Sequence, residues 1–392
     1  MTHAIPKQLV FPVAEYEERL RRVRQRMQER QIDVLLVHGP ENIFYLSGYQ
    51  TPGYYMYHCL VVPIDSEPVL VMRRGELGNF EWRCWLSRHV DYVDVDDPVQ
   101  FTANTVRELS GPRARIGAER RCWFFVPANY EKLKSALPTN SFAEADGLVE
   151  DCRLVKSALE IQSIRAAARA SEKGLQAGMD AVRTGTTDNA VSAEVHRAMI
   201  EAGSEYVALG PFIASGLRAT ITHGNWGRNP IKAGQSVMLE VGACVNRYHA
   251  AIFRTVAVGE PSERLKYMAE LSDEANLATL EAIRPGATTG EIHEICQGVF
   301  QRSKLPQDVI ALRRSLRTGY SIGLAFPPGW GEWDYLDFSE GGNTVLVPGM
   351  VFHVVTAIRD YGVHGAAYSE TVLVTETGHE LITQFPRTLF LK

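Results

Sequence analysis

Hydrophobic residues recur at helical spacing near the start of the chain and then give way to short apolar runs. Within residues 14–31, Leu20, Val23 and Met27 share one face and charged residues fill most other positions, which predicts an amphipathic helix. The runs V-L-L-V, C-L-V-V-P and V-L-V-M that follow are typical of buried strands, and the segment Y-L-S-G-Y between the first two predicts a turn. Residues 1–150 therefore predict an α/β domain with a mixed sheet.

Longer helical patterns and then more strands occupy the second part of the chain. Ser157, with Glu160 three residues later, fits a capping box, in which each residue bonds the backbone N–H of the other at a helix start. The helices predicted downstream cover 158–182, 186–202 and roughly 262–302, the last interrupted by Pro285-Gly286.

Composition then narrows the classes of function. The 392 residues are 45% hydrophobic and 22% charged, with a formal net charge of -5. This balance lacks the basic excess of nucleic-acid binding proteins, and no apolar run approaches the ~18 residues of a membrane span. No signal-peptide pattern opens the sequence, and the six cysteines are scattered without metal-like spacing. We expect a cytoplasmic location and no nucleic-acid or membrane partner.

The most specific pattern runs from Glu240 to Thr255 and reads E-V-G-A-C-V-N-R-Y-H-A-A-I-F-R-T. It resembles the site strands of the pita-bread family, which includes aminopeptidase P, prolidase, methionine aminopeptidase and creatinase. The resemblance extends over essentially the whole chain and implies an α+β fold, with a creatinase-like α/β domain followed by a catalytic domain with a curved antiparallel sheet. The R-L-V-K-S segment before Ala158 resembles the interdomain signature, which gives predicted domains 1–150 and 151–392. A homodimer is implied by the same resemblance.

The resemblance also identifies five positions at which metal-binding members carry two Asp, one His and two Glu. These positions are occupied here by Glu240, Ala251, Tyr320, Val355 and Ser369. Only one of the five is a carboxylate, whereas hard cations need several anionic oxygens and zinc-like ions need three or four good donors. We therefore expect no metal and no other cofactor, as in the metal-free creatinase.

His223 and Glu240 are the first predicted catalytic residues. His223 matches the histidine that creatinase uses for proton transfer, and imidazole titrates close to neutrality; its alternative is a solvated loop histidine. Glu240 lies on an apolar strand, where an unpartnered carboxylate is costly. It is either a general base or a ligand for a cationic substrate group, or a buried residue paired with Arg254. Burial would raise its pKa unless a cation lies beside it.

Tyr320 and Glu370 complete the predicted catalytic set. Tyr320 replaces the metal-binding histidine and offers a phenol to a carbonyl or carboxylate, although a packed aromatic is the alternative. Glu370 is offset by one residue from Ser369, and on a regular strand that shift reverses the facing. Glu370 reaches the site only if a bulge re-aims it.

Seven further residues are candidates for substrate contact, because they lie on the same strands and turns. They are Tyr248, His249, Arg254, His353, His364, Ser369 and Trp330. The sequence leaves open which of the adjacent Tyr248 and His249 lines the pocket, and whether Arg254 instead forms an internal ion pair.

Resemblance within the family favours ectoine hydrolases. Phe253 replaces the Glu with which creatinase grips a guanidinium, whereas R-Y-H before the R-T strand and the G-Y-S-I-G turn before P-P-x-W-G-E resemble ectoine hydrolases. We expect metal-independent hydrolysis of a non-peptide C–N bond in a small polar metabolite, with ectoine or a related cyclic amidine or amide as the best named substrate. A Xaa-Pro dipeptidase and a catalytically inactive binding module are the alternatives. Attack by water and a covalent acyl-enzyme on Glu240 both stay open.

Overall fold

The structure, a computed structural model, describes residues 5–332 and 334–392. Within these residues the chain forms two units, which meet in sequence between Arg153 and Leu154. None of the helices in the described part of the chain has the length and apolar character needed to cross a bilayer.

The short apolar runs at the start of the chain form a mixed six-stranded sheet, in the order β4-β3-β2-β1-β5-β6. Strands β1–β2 and β2–β3 pair antiparallel, and the other neighbours pair parallel. The strands are β1 (Val34–Val37), β2 (Cys59–Pro63), β3 (Val69–Arg73), β4 (His89–Tyr92), β5 (Arg115–Ala118) and β6 (Ser141–Glu144). The helices are α1 (Val13–Glu29), α2 (Pro40–Ser47), α3 (Leu77–Arg83), α4 (Pro98–Ser110), α5 (Pro127–Ala136) and α6 (Glu150–Leu154).

The first three residues of the predicted Y-L-S-G-Y turn, Tyr45, Leu46 and Ser47, instead form the end of helix α2, and the chain leaves the helix only at Gly48. The helix ends at Gly48, whose φ of 75° is the left-handed conformation that favours glycine at a helix end. The two residues before the helix are held from far along the sequence, since the Glu119 carboxylate accepts hydrogen bonds from the N–H groups of His38 and Gly39 at 2.7 and 2.9 Å. A contact of this kind leaves no local sequence signal.

The second unit consists of long helices and a nine-stranded sheet, in the order β11-β10-β12-β15-β9-β8-β7, with β16 beside β15 and β17 beside β9. The helices are α7 (Ala158–Ala181), α8 (Asp188–Glu201), α9 (Glu263–Ala282), α10 (Thr289–Gln301) and α11 (Gln307–Arg314). The strands of the sheet are β7 (Phe212–Ser215), β8 (Ser236–Val245), β9 (Tyr248–Ala257), β10 (Gly319–Ser321), β11 (Asp337–Phe338), β12 (Val351–Val355), β15 (Ser369–Val374), β16 (His379–Leu381) and β17 (Phe390–Leu391). Strands β13 (Ile358–Asp360) and β14 (His364–Ala366) form a separate hairpin.

One face of the large sheet is covered by helices α7 and α8. The predicted capping box of Ser157 and Glu160 starts α7, and glycines let the helix approach closely. A Cβ on Gly178 would lie 2.5 Å from Val195 of α8 and 2.8 Å from Leu239 of β8. Leu239 belongs to a buried apolar cluster with other residues of α7, α8, β8 and β9. Alternate residues of β8 and β9 must therefore face the opposite side of the sheet.

A buried ion pair fixes the start of the second unit to the segment that carries Trp330. Lys156 Nζ donates to Glu332 Oε2 at 2.9 Å, and the side chains are only 1% and 9% exposed. Ser321 Oγ donates to the same oxygen at 2.6 Å, and the Glu332 N–H donates to the Ser321 carbonyl at 2.7 Å. These contacts hold the strand of Tyr320 and the loop of Trp330 together.

Replacement of Lys156 by Met leaves the Glu332 carboxylate buried without its cation. We expect the free energy of unfolding, measured in urea, to fall by about 3–5 kcal/mol. The matched double variant Lys156→Met/Glu332→Leu removes both charges and is expected to recover most of that loss. Equal stability of the single variant and the wild type would show that the ion pair does not hold this region.

Candidate active site

The face of the large sheet opposite α7 and α8 carries a row of residues from five neighbouring strands. Cα pairing places Phe212, Glu240, Phe253, Ser369 and Val355 directly opposite one another across β7, β8, β9, β15 and β12. Residues directly opposite on adjacent strands point to the same face. Glu240 therefore shares its face with Ser369 and Val355.

A second set, two residues along the strands, completes this face. Gly242 pairs with Ala251, and His353 pairs with both Thr371 and Tyr320. The Thr371 hydroxyl donates to the Ala251 carbonyl at 2.8 Å and accepts from the Ala251 N–H at 3.0 Å. At this position a side chain of β15, and not its backbone, forms the hydrogen bonds to β9. All five positions at which the family resemblance places metal ligands thus lie on one face.

Four side chains on this face form a continuous hydrogen-bonded chain, which we call the Trp–Tyr–His–Ser chain. Trp330 Nε1 donates to Tyr320 Oη at 2.9 Å, Tyr320 Oη bonds His353 Nδ1 at 2.9 Å, and His353 Nε2 bonds Ser369 Oγ at 2.6 Å. Burial lowers the pKa of His353 to about 3, so the imidazole is neutral. The sequence placed two of these residues at former ligand positions, and the structure links them through the other two.

The indole of Trp330 covers the neighbouring part of the sheet. A Cβ on Gly242 would lie 2.7 Å from the indole, which explains why a residue without a side chain stands opposite Ala251. Within residues 5–332 and 334–392, no group of three or more His, Cys, Asp or Glu side chains could hold a metal ion. The residues at the five positions therefore do not fit the metal ions that metal-binding members hold with two Asp, one His and two Glu.

Beside this face lies a narrow cleft that is partly open to solvent. It is lined by Phe212, Ala214, Arg218, Ala219, Ile221, His223, Gly224, Met238, Glu240, Phe253 and Arg359. His223 has a φ of 57° and its ring stacks on Phe212, with centroids 5.5 Å apart. The next residue must be small, because a Cβ on Gly224 would lie 2.2 Å from the Arg218 carbonyl oxygen.

The pKa values of the two catalytic candidates in the cleft, Glu240 and His223, are shifted from their ordinary values. Burial raises the pKa of Glu240 to about 7, against the opposing effect of the Arg359 charge. Burial, followed by the charge of Arg359, lowers the pKa of His223. A neutral imidazole and a carboxyl that titrates near neutrality suit the acceptance and return of a proton.

Glu370 faces the other side of the sheet, contrary to the prediction that it is catalytic. Strand β15 pairs regularly with β12 from Ser369 to Leu373, so no bulge re-aims it. Its Oε1 accepts from Arg254 Nη2 at 2.5 Å and its Oε2 accepts from Thr383 Oγ1 at 2.6 Å. Arg254 is fully buried and does not line the cleft, so the internal ion pair stated as its alternative is the arrangement observed, with Glu370 as partner.

Three other substrate-contact candidates also lie away from the cleft. Tyr248 Oη donates to Glu160 at 2.7 Å on the helix-covered face, and His364 Nε2 bonds Ser262 Oγ at 2.8 Å near the start of α9. His249 is on the same face as Glu240 but is buried, and its Nε2 accepts from the Ala208 N–H at 3.0 Å. Strand alternation and tertiary packing account for all three placements.

Arg359 is the cleft residue that sequence reasoning missed. It lies on β13 opposite Gly365 of β14. A Cβ on Gly365 would lie 2.0 Å from the Ala219 carbonyl oxygen and 2.5 Å from Met238 Sδ, so this glycine lets the hairpin pack against the cleft wall. The only local signal is an arginine between Ile358 and Asp360 in a short hairpin, which does not indicate the direction of its side chain.

Comparisons with known proteins agree with this architecture. Residues 162–376 match the family described as "Metallopeptidase family M24", and residues 19–155 match the "Creatinase/Prolidase N-terminal domain". The ectoine hydrolase of Halomonas elongata is 30% identical, over 98% of this chain and 99% of that protein. The prolidase structure from Pyrococcus horikoshii has a TM-score of 0.83 at 24% identity, covering 95% of this chain and all of that one. The Xaa-Pro dipeptidase from Bacillus anthracis has a TM-score of 0.83 at 25% identity, covering 96% of this chain and 100% of that one.

The chain belongs to the M24 metallopeptidase family. The α+β class is confirmed, with a creatinase-type first domain and the curled antiparallel sheet of the pita-bread fold in the second. The protein is a hydrolase that acts on C–N bonds.

The raised pKa of Glu240 predicts a pH-dependent stability. The carboxyl ionises near its ordinary value of 4.5 in the unfolded chain but only near pH 7 in the folded one. The folded protein therefore loses stability as pH rises from 4.5 to 7, by up to about 3 kcal/mol. Relative to Glu240→Gln, urea unfolding of the wild type should show a deficit at pH 8 that disappears near pH 4.5. A pH-independent difference would contradict the shift.

Proposed function

We propose that the protein is a metal-independent hydrolase of a non-peptide C–N bond in a small polar metabolite, with ectoine or a related cyclic amidine or amide as substrate. The observation that carries this proposal is the replacement of four of the five metal-ligand positions beside a cleft that retains His223 and Glu240. The 30% identity with an ectoine hydrolase over nearly the whole chain supports the substrate class.

In the proposed mechanism, Glu240 accepts a proton from water as the water oxygen bonds to the amidine carbon. The proton passes through His223 to the leaving nitrogen, the ring C–N bond breaks, and the product has gained one water. An amidinium carbon is already electron-poor. For that reason, the polarisation that a cation gives to a peptide carbonyl is not needed.

The Trp–Tyr–His–Ser chain orients the phenol in this mechanism. Trp330 Nε1 can only donate, so Tyr320 Oη accepts from it. We assign the proton of His353 to Nδ1, which then also donates to Tyr320 Oη and leaves the phenol hydrogen free to point at the reacting oxygen. Two donors on one phenol oxygen strengthen it as a donor to the charge that develops there.

The second candidate function is a Xaa-Pro dipeptidase, favoured by the likeness to solved enzymes of that kind. That reaction uses a cation to polarise the peptide carbonyl and to generate hydroxide. The side chains at the five ligand positions argue against it. A catalytically inactive binding module is disfavoured by the retention of His223 beside Glu240.

The proposal includes two further points. The resemblance to creatinase supports a homodimer. The six cysteines, all free thiols, support a reducing cytoplasm.

The first test incubates EDTA-treated enzyme with ectoine and follows the substrate by mass spectrometry. We expect a product heavier by one water, and we expect His223→Ala to slow its formation by about 10²- to 10⁴-fold. Undiminished turnover by that variant would overturn the proposed proton transfer. Cleavage of a Xaa-Pro dipeptide only after addition of manganese, without ectoine turnover, would support the dipeptidase instead.

Replacement of Tyr320 by Phe removes the phenol while its ring is kept. We expect kcat for ectoine to fall by roughly 10²-fold with little change in KM, as for other donors that act mainly in the transition state. Ser369→Ala, at the far end of the Trp–Tyr–His–Ser chain, is expected to have a smaller effect. A rise in KM alone for Tyr320→Phe would assign the phenol to ground-state binding.

A further inference from the structure

We infer that the cleft selects a zwitterionic ring, with the substrate carboxylate on Arg359 and the amidinium N–H groups toward Glu240. This inference rests on the proposed function and deepens it. It assigns a role to a residue that no motif indicated, and it defines the substrate class as cyclic amidines or amides that carry a carboxylate.

The first argument is the isolation of the Arg359 guanidinium. Arg359 lines the cleft, and its Nε is buried without a hydrogen-bond partner. In the described chain its side chain makes no hydrogen bond, and no carboxylate lies within 4.0 Å of it. A guanidinium has five N–H donors and is always charged, so leaving it unpartnered in a poorly solvated site is costly. A planar anion that binds the guanidinium through two parallel hydrogen bonds would recover this cost.

The second argument is the matching isolation of Glu240. Its carboxylate accepts no hydrogen bond from the described residues, although it lies in the same cleft and is near enough to Arg359 for each charge to shift the pKa of the other group. The two groups attract each other but form no ion pair. Two unpaired charges of opposite sign in one cleft can each bind the opposite charge of a zwitterionic ligand.

The third argument is the apolar part of the lining of the same cleft. Phe212 and Phe253 flank Glu240 on the neighbouring strands, and Met238 and Ile221 also line the cleft. Such a surface suits the methylene groups of a small ring. A ring with a delocalised cation on one edge and a carboxylate on the other fits all three features.

Arg218, the other arginine of the cleft, is already engaged. Its Nη1 donates to the Asn225 carbonyl at 3.0 Å, and its guanidinium packs so closely on Gly227 that a Cβ there would lie 1.9 Å from Nη1. Arg218 therefore stabilises the loop that carries His223, and the carboxylate position is assigned to Arg359 alone.

The test compares two ligands that differ only in the carboxylate: ectoine and 2-methyl-1,4,5,6-tetrahydropyrimidine. Calorimetric titrations use the His223→Ala background, with and without Arg359→Met, so that turnover does not interfere. We expect loss of the carboxylate to weaken binding by roughly 10- to 100-fold when Arg359 is present and by less than about 3-fold in Arg359→Met. Arg359→Lys should restore part of the preference.

Arg264→Met is the matched control, because Arg264 pairs with Asp360 on the same hairpin at 2.8 Å but does not line the cleft. It is expected to keep the preference for the carboxylate, which separates anion binding from hairpin stability. Pyroglutamate and 2-pyrrolidinone provide a second matched pair. The inference is overturned if neither carboxylate binds better than its partner, or if the preference survives Arg359→Met.

Failure of this inference can be told apart from failure of the proposed function. If ectoine binds more tightly than its analogue without the carboxylate but its ring is not opened, the proposed function is wrong and the role of Arg359 stands. Ring opening at equal kcat/KM for both members of the ectoine pair would keep the proposed function and overturn the role of Arg359.

Discussion

The antiparallel pairing of β8 with β9, continuous from Ser236–Ala257 to Val245–Tyr248, is the constraint on which the site depends. It puts Glu240 on the cleft face and Leu239 under the helices. A shift of one residue would bury the carboxylate against α7 and turn the apolar set toward the cleft. The long register and the apolar cluster beneath it exclude that alternative, so the facing of Glu240 follows from this strand pair.

The site is built on the frame of a metallopeptidase but with different chemistry. Where the resemblance places metal ligands, the chain has one carboxylate, two members of a neutral hydrogen-bonded chain and two aliphatic side chains. Trp330 fills the space above Gly242, opposite Ala251. Neutral groups in these positions leave the carboxylate of Glu240 without a strong cation in contact, and burial can then move its titration toward neutrality. The replacement of the metal ligands by neutral groups is therefore also the reason why the pKa of Glu240 is raised.

The sequence predicted correctly those features that depend on a local pattern or on the alternation of residues along a strand. The capping box at Ser157, the helices and the central strand pair follow from such patterns, and the cleft face of Glu240 and Tyr320 follows from the two-residue period. The same two-residue period places Glu370 on the side of the sheet away from the cleft. The sequence alone could not show this, because it does not exclude a bulge in β15.

Other features depend on long-range packing that no local pattern contains. The residues before helix α2 are held by Glu119 from another part of the domain, and Arg359 reaches the cleft because Gly365 lets its hairpin approach. Tyr248 and Arg254 lie on a site strand but on its helix-covered side, where each pairs with a carboxylate.

The two unpartnered charges of the cleft also have a consequence for the lifetime of the protein. A ligand that binds only the folded state stabilises it in proportion to the logarithm of its concentration over its dissociation constant. A zwitterion that satisfies Arg359 and Glu240 would reduce the unfolded fraction that cellular proteases degrade. The amount of enzyme would then rise with the supply of its substrate, without any change in gene expression.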